Sequence, residues 1–273
     1  MSAPQIHHRF GDQELELPVS LTGTLGKAIA VLEIVANAEN PPRFTDILAK
    51  SDQPRGTLHR QLSNLVEEGF LSLDRNHTYA LGLRLLMFAS RAWAGNQFRA
   101  IAEPHLRVLH EATGETVHLG VLRGTEVVYL DKVEGKQAVR MYSQIGNASP
   151  AYCTGVGKAA LSALPDSKLR ELAARTRFHK FTETTITSAA ALLAEAEAIR
   201  KCGNAYDREE HEPGIRCVAA PIFSADRSFV AGVSVTGPAY RVSAEAINSW
   251  ASTVRKTAAA IMQDMAVRMS PRS

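Results

Sequence analysis

The spacing of apolar residues between residues 24 and 81 limits the fold of this chain more than any other feature. From Leu25 the apolar residues recur at helical intervals, and the pattern ends at Pro41-Pro42 because prolines cannot continue a helix. Residues 45–50 predict a short second helix, and residues 54–68 predict a third. The chain therefore begins with a cluster of three helices.

A hairpin follows the third helix. Two short apolar runs, residues 70–73 and 78–81, flank the polar tip Asp74-Arg75-Asn76-His77, which is typical of two paired strands joined by a turn. Three helices and a hairpin in this order describe a winged helix-turn-helix. We place this domain at residues 21–82 and interpret residues 1–20 as a flexible tail without the apolar core of a secretion signal.

The rest of the chain predicts a second and larger domain. An apolar segment, residues 83–97, is expected to form a linker helix and to contribute a dimer seam. Residues 98–273 alternate between helical segments and β-branched runs, one of them at residues 139–143, and end in a long helix. This pattern predicts an α+β domain around an antiparallel sheet.

The composition excludes several classes of protein. The chain has 273 residues, enough for two domains, and 45% of them are hydrophobic. Its three cysteines, Cys153, Cys202 and Cys217, are an odd number with no CxxC pair, so neither a disulfide framework nor a metal site is suggested. Reduced thiols fit the cytoplasm, and no apolar run is long enough to span a membrane. We expect no metal and no cofactor.

The third helix carries the candidate DNA contacts. No acidic residue occurs between Gln53 and Val66, which favours an approach to phosphates. The start of the second helix of such a motif reads base edges in the major groove. Gln61 is also expected at the outward margin of the helix. The candidate DNA-binding residues are Arg55, Gly56, Thr57, His59, Arg60 and, at the tip of the wing, Arg75.

A protein-interaction or dimerisation module is the alternative for the same fold. Positive and negative residues balance over residues 21–86, which favours that alternative. The acid-free helix and the basic wing tip favour double-stranded DNA as the partner. A dimer would then bind a palindromic operator.

Several motifs together resemble one protein family. They are Pro54-Arg55-Gly56-Thr57-Leu58-His59-Arg60, Cys153-Thr154-Gly155-Val156-Gly157-Lys158-Ala159, Gly203-x3-Asp207-x2-Glu210-x6-Cys217 and Ser234-Val235-Thr236-Gly237-Pro238. Over residues 21–269 the chain is similar to the IclR-type transcriptional regulators. It departs from them at Gly56, where the family usually has Ser, and at Ser224, where Asp or Asn is usual.

This resemblance implies a fold and a function. It implies a GAF-like effector domain at residues 98–273, a homodimer or homotetramer, and repression or activation of a nearby catabolic operon, of which we predict repression. The segments 115–120, 140–143 and 184–188 look closest to regulators of hexuronate and pectin breakdown, which sense 2-keto-3-deoxygluconate or similar sugar acids. A regulator of aromatic-acid catabolism is the alternative within the family.

The residues of the second domain predict a site for a small organic acid. Gly155-Val156-Gly157 leads straight into a helix, and free N–H groups at a helix start attract a carboxylate, although an ordinary tight helix entry would have the same sequence. Ser234 and Thr236 lie two apart in a predicted strand, so both hydroxyls face one side, and the resemblance implies that they lie near the ligand.

Four further residues complete the predicted effector site. Asp207 and Glu210 repel a carboxylate but accept hydrogen bonds from ligand hydroxyls, as a hydroxylated or keto acid would offer; Glu210 has an alternative structural role. Cys217 begins an apolar strand and is interpreted as a buried thiol lining the site. Met141 is a candidate apolar wall, with plain core as its alternative.

An enzyme is the competing class of function. It would be a hydrolase with Cys217 as nucleophile and His118 or His211 as base. The sequence has neither a GxSxG nor an HExxH motif, and a DNA-reading domain would serve no purpose there. We therefore predict that the chain is not an enzyme and has no catalytic residues.

Overall fold

The computed structural model describes residues 23–135 and 143–269. The chain divides between residues 92 and 93 into two units, which are treated separately below. Within the described ranges, no helix has the length and the apolar character needed to cross a membrane. The predicted strand at residues 139–143 lies almost wholly outside the described residues.

The N-terminal unit is the predicted set of three helices and a hairpin. The helices are α1 (Gly23–Ala36), α2 (Phe44–Lys50) and α3 (Arg55–Glu67), the strands are β1 (Leu71–Leu73) and β2 (Tyr79–Leu81), and helix α4 (Leu83–Ala94) follows. The side chains that form its core are Val31, Val35, Ile47, Leu58, Leu62, Leu65, Leu71 and Tyr79.

Local chemistry defines the ends of α3 and the tip of the hairpin. After α3, Gly69 adopts a φ of +70°, and the Phe70 N–H donates back to the Leu65 carbonyl, so the helix ends at the glycine that the sequence indicates. In the tip, the carboxylate of Asp74 accepts hydrogen bonds from the N–H groups of Asn76 and Thr78. These bonds lower the pKa of Asp74 and hold the turn.

Helix α4 exposes its apolar side chains. Leu83, Leu86, Met87 and Phe88 are all exposed, Leu83 by 78%, and no residue of the helix is buried. An exposed apolar surface of this kind is typical of an interaction site. The dimer seam predicted for this helix stays a prediction.

The C-terminal unit is built on a six-stranded antiparallel sheet with the strand order β5-β4-β3-β8-β7-β6. The strands are β3 (Thr116–Arg123), β4 (Glu126–Val133), β5 (Ala148–Pro150), β6 (Ala205–Arg208), β7 (Ile215–Phe223) and β8 (Val230–Pro238). The helices are α5 (Gln97–Thr113), α6 (Gly155–Ser162), α7 (Asp166–Arg175), α8 (Ala189–Cys202) and α9 (Ala244–Arg268). The α+β expectation is therefore confirmed.

Helices cover both faces of this sheet. Apolar side chains of α5 and α9 form one continuous core with β3, β7 and β8. On the other side α6 packs through Val156 and Ala159 against Val127 and Ala219 of the strands. Helix α6 is buried along its whole length.

Two glycines allow α6 to lie directly on the sheet. Gly120 of β3 and Gly232 of β8 are cross-strand partners. A Cβ on Gly120 would lie 2.5 Å from Cγ1 of Val156, and a Cβ on Gly232 would lie 2.7 Å from the Val156 carbonyl oxygen. Both distances are too short for real atoms, so the glycine pair sets the depth at which the helix sits.

We predict that Gly232→Ala destabilises the C-terminal unit by about 1–3 kcal/mol, because the new methyl group meets backbone that cannot move aside cheaply. Gly56→Ala is the matched control: nothing lies within 4 Å of its Cβ position, and alanine favours a helix by about 0.5–1 kcal/mol. Urea unfolding followed by circular dichroism measures both. A Gly232→Ala protein as stable as the parent would contradict the packing described here.

Candidate functional site

A cavity lies where the start of α6 meets β8 and the loop after β6. Its volume is about 50 Å³. Its lining residues are His118, Tyr129, Ser143, Thr154, Gly155, Val156, Asp207, His211, Glu212, Ile215, Cys217, Ser234 and Thr236. Six of the nine predicted effector residues are in this set, and Met141 lies outside the described residues. The structure thus brings together residues more than a hundred positions apart.

The start of α6 differs in detail from the predicted anion site, in which free backbone N–H groups of residues 155–157 face the ligand. Thr154 caps the helix, and its Oγ1 accepts a hydrogen bond from the Gly157 N–H at 3.3 Å. A Cβ on Gly155 would lie 2.3 Å from the sulfur of Cys217, so only glycine leaves room for that sulfur. Gly157 does not line the cavity. Of the three residues predicted to hold the anion, Gly155 and Val156 line the cavity.

Asp207 places a buried carboxyl group in the cavity. It lies on β6 opposite Cys217 of β7, and its Oδ1 accepts a hydrogen bond from the Glu210 N–H at 2.8 Å. Burial raises the pKa of Asp207 to about 7, because an ionised carboxyl group loses more hydration than this one bond returns. The carboxyl group can therefore accept or donate near neutral pH.

Glu210 lies outside the cavity and holds the structure instead. Its Oε1 lies 2.6 Å from Nζ of Lys158, and the same Nζ lies 3.0 Å from Glu195. Lys158 is 1% exposed on α6. Burial raises the pKa of Glu210, against the opposing effect of Lys158. Of the two roles that the sequence left open for Glu210, the ion pair corresponds to the structural one.

Hydroxyl groups line the side of the cavity formed by β8. Ser234 and Thr236 are buried neighbours with their hydroxyl oxygens 3.4 Å apart. Thr236 Oγ1 lies 3.3 Å from Nδ1 of His118, and Nε2 of His118 lies 2.7 Å from the Ser143 hydroxyl. Burial lowers the pKa of His118 to about 3, so the ring is neutral at physiological pH. These four residues form one hydrogen-bonded row.

The loop after β6 is held in place by three threonines. Thr184 Oγ1 donates to the Glu209 carbonyl at 2.9 Å, and Thr185 Oγ1 donates to the Glu210 carbonyl at 2.7 Å. Thr182 also lies within bonding distance of the Glu210 carbonyl. The wall that carries Asp207 is therefore anchored to the segment before α8.

Sequence reasoning missed part of the lining. The lining residues that were not predicted as effector contacts are His118, Tyr129, Ser143, Thr154, His211, Glu212 and Ile215; His118 and His211 were named only as bases of the hydrolase alternative. Thr154 had a signal, since Thr is a preferred helix cap and precedes the Gly155 motif. His118 had none within its own segment: it reaches the site because the register of the sheet pairs it with Ser234.

Cys217 lacks the surroundings of a nucleophile. Burial raises the pKa of its thiol, and the carboxyl group of Asp207 opposite it acts in the same direction. Thiolate chemistry requires a lowered pKa and a base within reach. Among the described residues, the hydrogen bonds of His118 go to Thr236 and Ser143 and not to Cys217. These surroundings do not fit the hydrolase alternative, in which Cys217 is the nucleophile and His118 its base.

The second candidate surface is the outward face of α3 with the wing tip. Arg55, Gly56, His59 and Arg60 are exposed, Thr57 is half-buried, and Arg75 is exposed at the turn of the hairpin. The guanidinium of Arg55 lies 5.1 Å from the centre of the Phe44 ring. The expectation for Gln61 was wrong: it is buried and donates to the Thr24 carbonyl.

Comparison with known proteins covers both the domain that contains α3 and the domain that contains the cavity. The model of the IclR helix-turn-helix domain matches residues 24–75, and the model of the bacterial transcriptional regulator IclR C-terminal domain matches residues 91–263. Transcriptional repressor IclR of Escherichia coli is 31% identical, with 86% of this chain and 87% of that protein covered. HTH-type transcriptional regulator KdgR of the same species is 29% identical, with 91% and 94% covered.

Solved structures agree with this result. The crystal structure of Thermotoga maritima IclR is 34% identical, covers 89% of this chain and 98% of its own, and has a TM-score of 0.68. An IclR homolog from Microbacterium hydrocarbonoxydans, complexed with 4-hydroxybenzoate, is 23% identical, covers 90% and 100%, and has a TM-score of 0.73. At that identity the second likeness shows the fold alone. The relatives are transcriptional regulators, not enzymes.

We predict that Lys158→Met destabilises the C-terminal unit by about 3–5 kcal/mol, because it leaves buried carboxylates without their cation. The loss is expected to be larger at pH 8 than at pH 5. Without Lys158 the folded-state pKa of Glu210 rises further above its unfolded value, so the folded state loses stability as pH rises through that range.

Urea unfolding at both pH values measures this effect. The double variant Lys158→Met/Glu210→Gln should recover part of the loss, and Lys168→Met, which removes an exposed ion pair with Glu171, should cost no more than about 1 kcal/mol. Equal losses at both pH values, with no recovery in the double variant, would refute the structural role of this ion pair.

Proposed function

The chain belongs to the IclR family of bacterial transcriptional regulators, and we propose that it is a cytoplasmic repressor whose binding to its operator is controlled by a small organic acid in the cavity. The cavity carries the proposal: it lies in the C-terminal unit, is partly open, and is lined by hydroxyls, two carboxyl groups and a helix start. Such a set orients one small polar ligand and offers no reactive nucleophile.

The exposed start of α3 is the proposed DNA-reading element. Arg55 and Arg60 are its exposed cations, and Arg side chains make bidentate bonds to guanine. Arg75 at the wing tip reaches for the phosphate backbone or the minor groove. A homodimer formed through the exposed apolar face of α4 presents two such helices to half-sites about 34 Å or a multiple apart, so we expect a palindromic operator.

The size of the cavity bears on the class of acid. Roughly 10–15 Å³ suffices for one water molecule, so about 50 Å³ accommodates a ligand of few heavy atoms. A hydroxy or keto acid of two or three carbons fits with least movement of the lining. Its carboxylate would lie near the Val156 N–H, and its oxygen substituent near Ser234 and Thr236.

Larger acids would extend through the open side of the cavity or move its lining apart. A sugar acid such as 2-keto-3-deoxygluconate is one candidate, but the similarity to KdgR, at 29% identity, does not exceed that to the repressor IclR, at 31%. An aromatic acid, the alternative that the sequence left open, is the second candidate. Binding of any of these shifts the protein between its DNA-binding and released states by its differential affinity for them.

For the DNA surface we predict that Arg55→Ala and Arg60→Ala each weaken operator binding by about 1–3 kcal/mol if the side chain reads a base. A residue that contacts phosphate alone should instead lower the salt dependence by about one unit of slope. Gel shifts over a range of salt concentrations separate the two cases. Arg170→Ala, on an exposed position of α7, is the control. Undiminished binding by both α3 variants would show that this helix is not the reader.

For the effector site we predict that Ser234→Ala and Thr236→Val weaken effector binding by about 2–10-fold each, because each removes one hydrogen bond worth about 0.5–1.5 kcal/mol. DNA binding without effector should stay as in the parent protein. Ser249→Ala, on the exposed side of α9, is the matched control. Calorimetry with a panel of short hydroxy, keto, sugar and aromatic acids measures affinity, and unchanged affinity for every acid that binds would remove both residues from the site.

A further inference from the structure

The charges around the cavity are a poor match for an anion alone. Among the described residues that line it there is no Lys and no Arg, whereas Asp207 and Glu212 contribute two carboxyl groups. Two cations of the described ranges lie behind the lining: Lys158, which contacts Glu195 and Glu210, and Lys132, which donates to the Ser143 carbonyl. A carboxylate that enters this cavity loses hydration and meets groups of its own sign.

The other titratable groups near Asp207 add no positive charge at neutral pH. Burial keeps the thiols of Cys153 and Cys217 and the phenol of Tyr129 protonated, since it raises the pKa of all three. Burial also keeps the rings of His118 and His211 neutral. The charged groups that face Asp207 from α6 and from its own loop are Lys158, Glu210 and Glu212.

Among the described residues, only one of the two carboxyl oxygens of Asp207 accepts a hydrogen bond. Its Oδ1 accepts the Glu210 N–H, and among the described residues no donor bonds to Oδ2. The side chain is 6% exposed and lies beside Gly155, Ser234 and Thr236 in the lining. A ligand carboxylate that lies between the Val156 N–H and Asp207 would meet a second, under-bonded carboxyl group, an arrangement in which two carboxyl groups share one proton.

On the basis of the proposed function, we infer that the cavity binds its acid effector together with one proton, which lies between the effector carboxylate and Oδ2 of Asp207. The proton comes from solvent and returns to it when the effector leaves. The pair carries one negative charge instead of two, and the shared proton gives the two carboxyl groups a hydrogen bond to each other. The pKa of about 7 for Asp207 in the free protein agrees with this arrangement.

The experiment is calorimetric titration of the full-length protein with glycolate, pyruvate and 2-keto-3-deoxygluconate. Each titration is run at pH 6 and pH 8 in two buffers of different ionisation enthalpy, so that the difference in heat counts the protons taken up. We expect close to one proton per acid at pH 8 and close to none at pH 6, where Asp207 is already protonated. Affinity should be about tenfold weaker at pH 8 than at pH 6.

Two variants assign the proton. Asp207→Asn should take up no proton and should bind with the same affinity at both pH values, because its amide is a permanent donor. Glu212→Gln, which alters the other carboxyl group of the lining, should keep the uptake of one proton at pH 8. Uptake that persists in Asp207→Asn and vanishes in Glu212→Gln would overturn the assignment.

The failures of the inference and of the proposed function are distinguishable. If the wild-type protein binds an acid at pH 8 with no proton uptake and with an affinity independent of pH, the inference is wrong and the effector function stands. If none of the three acids binds even at pH 6, where the cavity is closest to neutral, and none alters a gel shift with operator DNA, the cavity is not a site for these acids and both fail.

Discussion

Close packing of α6 on the sheet is the constraint on which the C-terminal unit depends. The helix can reach the strands only where they have no side chains, at the cross-strand pair of Gly120 and Gly232. At that depth the first turn of α6 lies beside the buried hydroxyls of β8. The sulfur of Cys217 fits against this turn only because residue 155 is also a glycine. A cavity between a helix start and a strand follows directly from this approach.

A buried ion cluster supports the same helix from its other side. Lys158 lies one turn after the cavity and joins α6 to Glu195 of α8 and to Glu210 of the loop after β6. Three separate segments therefore meet at one cation. Thr184 and Thr185 in addition hold the backbone of that loop. The wall that carries Asp207 therefore has little freedom to move without disturbing α6. This linkage is a physical route by which ligand binding can change the shape of the unit.

The helices, the hairpin and the outward face of α3 could be predicted from the sequence, because caps, prolines and apolar spacing are local signals. Helix α7 escaped notice since its apolar residues are few, and β6 because a strand of four residues beside a helix has no period to read. The site was predicted where residues share a motif. Glu210 does not line the cavity because its carboxylate pairs with Lys158, 52 positions earlier in the chain. His118 lines the cavity because the register of the sheet pairs it with Ser234. Neither pairing has a signature within its own segment.

The neutral ring of His118 carries a hydrogen on one nitrogen and a lone pair on the other. One nitrogen therefore donates a hydrogen bond to its hydroxyl neighbour, and the other nitrogen accepts one. Whichever nitrogen holds the hydrogen, one of Thr236 and Ser143 must donate to the ring and the other must receive from it. A hydroxyl that gives its hydrogen to the ring can only accept from a guest, whereas one that receives from the ring keeps its hydrogen to offer. Moving a single hydrogen across the imidazole would thus reverse the polarity of the whole row while leaving every heavy atom and the net charge unchanged.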